Sequence, residues 1–148
     1  MAIAMNKWLA QRKLSVLWFA NSGIIILLFV FFTIVNRFGS HNDTAWEWLT
    51  ANIVPTLTLM IGTFANSDSR TNADVFIEKF YYRLALTVSA FYFLLMYLTI
   101  LMAPIAFSLI NISMVDLLTN SKIYFNVSQG VVTLVLGLFF TKKGTESE

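Results

Sequence analysis

The stretch LSVLWFANSGIIILLFVFFTIVN, Leu14 to Asn36, holds 23 residues and no ionisable side chain. At about 1.5 Å of rise per residue it makes roughly 35 Å of helix, enough to cross the hydrocarbon core of a bilayer. Lys7, Arg12 and Lys13 precede it, as basic residues precede the apolar run of a signal peptide. The run exceeds the about 7–15 residues of such an h-region, and the bulky Val35-Asn36-Arg37-Phe38 offers no small-residue cleavage site. The segment is expected to stay as a membrane span.

Three further uncharged gaps follow. Trp48 to Ser67 holds 20 residues, Leu84 to Val115 holds 32 with its apolar part ending near Phe107, and Ile123 to Thr141 holds 19. Each meets or approaches the ~20 residues a spanning helix needs. The expected fold is all-α, a single membrane domain over residues 1–148 built as a four-helix bundle. Its spans are about 14–36, 48–67, 80–107 and 123–141, with a loop at 67–79 and an N-terminal interfacial segment at 1–13.

Composition agrees. Of the 148 residues, 57% are hydrophobic and 12% charged, against roughly 25% charged in soluble domains. That excludes an ordinary soluble enzyme and an intrinsically disordered chain. The absence of cysteine removes disulfides, thiolate nucleophiles and iron–sulfur or zinc–cysteine sites, and a lone histidine, His41, makes a poor metal centre. No cofactor, no metal, no catalysis and no direct nucleic-acid contact are expected. His41, Asp43 and Glu47 share one loop with the character of a solvated surface, where Asp116 or Lys122 could pair with them. The six glycines are scattered and form no phosphate loop.

Lys and Arg divide eight to two: Lys7, Arg12, Lys13, Arg70, Lys79, Arg83, Lys142 and Lys143 against Arg37 and Lys122. The positive-inside rule then places both termini and the middle loop in the cytoplasm. Trp8, Trp18, Tyr81 and Tyr82 are expected at the inner interface, and Trp46, Trp48 and Tyr124 at the outer one. Thr71 with Asp74 reads as a capping box, which would start the third helix at Asn72.

No Asp, Glu, Lys, Arg or His falls near the middle of a span, which argues against a proton-coupled carrier. The neutral polar residues are arranged instead. On the second span Asn52, Thr56, Thr63 and Asn66 share one face with Gly62 alongside, a pore lining or a helix-to-helix seam. The third span repeats small and polar residues at four-three spacing through Ser89, Thr99 and Ala103. The fourth does so through Asn126, Gly130, Thr133 and Gly137, and these repeats favour the seam. Pro55 and Pro104 should bend their helices. The charges Asp68, Arg70, Asp74, Glu78, Lys79 and Arg83 form a dense mixed patch that suits docking of a cytosolic partner through residues 67–83.

In span layout the chain resembles the small four-span membrane components of bacterial anti-phage defence systems, such as a Kiwa-like membrane subunit. That likeness implies an effector acting with a partner at the bacterial inner membrane. The expected function is a non-enzymatic homo-oligomer that alters permeability or responds at the membrane with a cytosolic protein. The alternative is a membrane anchor that only recruits such a protein, and third comes a small-molecule transporter.

Overall fold

The computed structural model describes residues 4–65, 75–141 and 145–146. Its elements in chain order are β1 (Ala4–Asn6), α1 (Lys7–Ile34), α2 (Asn42–Ala65), β2 (Val75–Glu78), α3 (Lys79–Ile110), α4 (Met114–Thr141) and β3 (Thr145–Glu146). The fold is helical, with four helices that are each long and apolar enough to cross a membrane.

The helices form two hairpins laid side by side. α1 turns into α2 over residues 35–41, and α3 turns into α4 over residues 111–113. Each turn passes through an asparagine in the left-handed region, Asn36 at φ 54° and Asn111 at φ 53°. Asparagine tolerates that conformation because its short amide bonds locally, and Gly39 at φ 58° supplies a second such residue in the longer turn. α4 packs chiefly on α3 and α2, while α1 lies against α2 and α3.

Hydrogen bonds fix the helix directions. Trp18 pairs with Ser89 and Asn21 with Tyr97, so α1 and α3 run parallel. Trp48 pairs with Ser121 and Thr56 with Gln129, so α2 and α4 also run parallel.

At the opposite end from the turns, three short strands make an antiparallel sheet in the order β1-β2-β3. Ala4 lies across from Glu78 and Asn6 from Phe76, while Phe76 lies across from Thr145. The sheet gathers the two terminal segments onto the strand between the hairpins, and Ile77 is buried against the helical core.

Three expectations change here. The described part of the expected N-terminal interfacial segment, residues 4–13, is not a separate element, because Ala4–Asn6 is a strand and Lys7 already belongs to α1. Asn6 caps that helix, its Oδ1 accepting the Leu9 N–H at 3.1 Å. The third helix does not start at Asn72, because Val75–Glu78 is strand and α3 begins at Lys79; Thr71 and Asp74 themselves lie outside the described residues. A capping arrangement does occur at Ser113, whose Oγ accepts the Asp116 N–H at 3.1 Å and donates to Asp116 Oδ2 at 2.6 Å. Trp18 and Trp48, finally, are core residues rather than belt residues, at 0% and 1% exposure.

Candidate functional site

The middle of the bundle is filled by aromatic rings contributed by all four helices. Trp18 of α1 stacks on Tyr92 of α3 with centroids 5.8 Å apart, and Tyr92 meets Phe125 of α4 edge-on at 5.7 Å. Phe125 meets Trp48 of α2 edge-on at 5.0 Å, and Trp48 stacks on Phe29 of α1 at 5.9 Å. The circuit returns to its starting helix. Offset-stacked and edge-on rings at such spacings attract through their quadrupoles as well as through buried area.

Each tryptophan in this circuit donates its indole N–H across a helix boundary. Trp18 Nε1 donates to Ser89 Oγ at 2.9 Å, and Trp48 Nε1 donates to Ser121 Oγ at 2.9 Å. Tyr92 donates to the Asn52 carbonyl oxygen and to Asn52 Oδ1, both at 3.0 Å, and Asn52 Nδ2 donates to the Trp48 carbonyl at 2.7 Å. Gln129 Nε2 donates to Thr56 Oγ1 at 2.9 Å. In an apolar surround each of these groups would be costly without its partner.

The polar face of α2 therefore divides. Asn52 and Thr56 are buried at 5% and 0% exposure and bond to neighbouring helices. Thr63 is half-buried and donates to the Met60 carbonyl at 2.8 Å, Gly62 faces outward, and Asn66 lies outside the described residues. On α3, Ser89 and Ala103 are buried, and Thr99 Oγ1 lies 3.0 Å from the Tyr124 hydroxyl.

On α4 the expected small-residue stripe does not lie in the core. Leu118, Ser121, Phe125, Val132, Leu136 and Phe139 face inward, while Asn126 and Gly130 are exposed and Thr133 and Gly137 half-buried. Both series have four-three spacing and stand one residue apart, about 100° around the helix. A Cβ built on Gly130 or Gly137 would meet nothing within 4 Å.

The outward stripe of α4 adjoins α2. The bonds from Ser121 and Gln129 locate α2 on one side of α4, and the Thr99–Tyr124 contact locates α3 on the other. At 100° per residue, Asn126, Gly130, Thr133 and Gly137 fall on the side next to α2. The outward positions of α2 next to α4 are Ala51, Pro55, Thr58 and Gly62, all exposed. Pro55 brings no N–H to the Ala51 carbonyl, so this flank also carries a carbonyl without its usual helical partner.

The α1 and α3 surfaces are different in kind. Phe19, Ile24, Leu27, Phe31, Phe91, Leu94, Leu98, Leu101 and Phe107 are all exposed there. These large apolar side chains suit contact with lipid tails, whereas the α2–α4 flank is small and polar.

Of the charged patch, Asp68, Arg70 and Asp74 lie outside the described residues. Glu78 ends β2, and Lys79 and Arg83 open α3; Glu78 and Arg83 are exposed, Lys79 half-buried. At the turn end Lys122 Nζ pairs with Glu47 Oε2 at 3.5 Å, with the modest worth of an exposed pair. Among the described residues no group of three or more His, Asp or Glu could hold a metal ion.

Sequence reasoning missed the polar line on the inner face of α1, where Gln11, Ser15 and Ser22 are buried. It also missed Gln129, whose Oε1 is buried without a partner in the structure, as are Ser15 Oγ and Ser22 Oγ. A four-residue rhythm from Gln11 to Ser15 was the available signal. The bundle, its four apolar spans and its polar seams have the character of a multi-pass membrane protein. Comparison with protein-family models, with curated proteins and with solved structures finds no match.

Proposed function

We propose that this chain is a non-enzymatic, multi-pass protein of the bacterial inner membrane that self-assembles through its α2–α4 flank and alters membrane permeability. One observation carries the reading: Thr58 near the middle of its span and Asn126 about one turn inside the outer end of its own are exposed polar side chains on an otherwise small-residue flank. A polar group facing lipid within a span is costly, and a second copy offers both close approach and hydrogen-bond partners. The axis of conduction lies between protomers, since the ring circuit from Trp18 to Phe29 occupies the middle of each bundle. Neutral Asn and Thr at such an axis give weak ion selectivity.

Both termini and the middle loop face the cytoplasm in this reading, which puts the three-stranded sheet there. A cytosolic protein docking over residues 67–83 would bear on β2 and the start of α3, and so on the bundle itself. That geometry favours an effector gated by a partner, in keeping with a role in anti-phage defence, over an anchor that only recruits. The test is reconstitution into dye-loaded liposomes. Leakage that falls when Asn126 is replaced by Leu supports the reading; intact liposomes with an oligomeric protein and its partner present contradict it.

A further inference from the structure

Two cavities meet at Arg37. One is a groove of about 330 Å³ between α1 and α3 near the turn end, lined by Leu28, Phe32, Leu101, Pro104 and Met114 with Arg37 at its margin. The other, about 410 Å³, lies among the turns and is lined by Asn36, Arg37, His41, Ser113 and Asp116. Both fall in the size range of small-molecule sites. The first is almost wholly apolar and the second mixed, with charged and polar side chains among its walls, so the pair grades from apolar to polar as an amphiphile does.

The charges sharpen the match. Arg37 is exposed and has no ion-pair partner among the described residues, where Lys122 with Glu47 is the pair formed. Asp116 is exposed, engages Ser113 through Oδ2 and lines the same polar cavity as Arg37. Arg37 and Asp116 offer one cation and one anion, complementary to a phosphate and an ammonium on one headgroup. A guanidinium is well shaped for a phosphate. Pro104 lines the groove from within α3 and brings no N–H to the Ile100 carbonyl.

We infer that Arg37 marks a binding site for one zwitterionic phospholipid per protomer, with an acyl chain between α1 and α3, the phosphate on Arg37 and a primary ammonium on Asp116. The site rests on the reading that the four helices span a bilayer, with the turn end at its surface. It does not depend on self-assembly or conduction.

The experiment is native mass spectrometry of the full chain, delipidated in mild detergent and offered phosphatidylethanolamine, phosphatidylglycerol or chain-free glycerophosphoethanolamine. One phosphatidylethanolamine is expected to remain bound per protomer, in preference to phosphatidylglycerol. Arg37→Gln is expected to weaken that retention about tenfold, the scale of losing a charge-assisted hydrogen bond. Leu101→Trp, at an exposed position, should weaken it as well by filling the groove, while Arg12→Gln at the sheet end should not. Retention unchanged in Arg37→Gln or in Leu101→Trp overturns the site. Equal retention of phosphatidylglycerol does so too, as does equal competition by glycerophosphoethanolamine, which would mark a headgroup pocket alone. Release of the chain from membranes by alkaline carbonate would instead remove the spanning reading, and is scored separately.

Discussion

Trp48 and Ser121 join the two hairpins at the centre of the bundle: the indole N–H donates to Ser121 Oγ at 2.9 Å, and that hydroxyl donates to the Leu118 carbonyl at 2.6 Å. Ser121 thus accepts and donates at once. Ser121→Ala leaves a buried indole N–H without an acceptor, and stability should fall by about 1–3 kcal/mol. Thermal unfolding in detergent checks this, with Ser121→Thr expected to recover most of the loss. An unchanged Tm in Ser121→Ala would show that the pair contributes nothing.

The Tyr92–Asn52 contact should behave asymmetrically. Tyr92→Phe removes the donor but leaves Asn52 bonded to the Trp48 carbonyl, at a cost of about 0.6 kcal/mol, typical of interhelical bonds in membrane proteins. Asn52→Ala leaves the Tyr92 hydroxyl its bond to the main-chain carbonyl at position 52 but removes the Oδ1 acceptor and opens a buried space beside the ring. It should cost more, by about 1 kcal/mol or above, and the order of the two melting temperatures decides the point.

Helix α4 starts at the Ser113–Asp116 cap. Ser113→Ala should cost about 1 kcal/mol, and amide hydrogen exchange should rise in the first turn of α4 while the middle of the helix keeps its protection. Uniform exchange along α4 would contradict a local capping role.

Since the chain has no cysteine, single cysteines report topology directly. Ser40→Cys, in the turn between α1 and α2, should react with a membrane-impermeant maleimide on intact spheroplasts. Glu78→Cys at the sheet end should react only after permeabilisation. The reverse pattern would invert the orientation deduced from the lysine and arginine count.

The four helices were legible because lipid imposes a coarse rule, uncharged runs of fixed length, that Leu14 to Asn36 obeys without ambiguity. The inward role of Asn52 and Thr56 was also visible as a polar face. What the sequence could not settle was which of two adjacent faces of α4 packs inward. Phe125 with Val132 and Asn126 with Thr133 have the same spacing, and in lipid an apolar face can point either way, because tails are as apolar as a protein core. The sheet escaped notice for a different reason. Ala4–Asn6 and Thr145–Glu146 are too short to show a two-residue period, and their pairing is long-range. The pattern of Thr71 with Asp74 recurs as Ser113 with Asp116, which caps α4 at the end of a three-residue turn.

Disulfide crosslinking in native membranes tests the proposed self-association through the α2–α4 flank. Asn126→Cys faces outward on that flank, whereas Phe91→Cys faces outward on α3. A disulfide forms only where Cα atoms approach within about 7 Å. An oxidised dimer band is expected for Asn126→Cys and none for Phe91→Cys. A monomer from Asn126→Cys, whether or not Phe91→Cys crosslinks, would contradict that self-association.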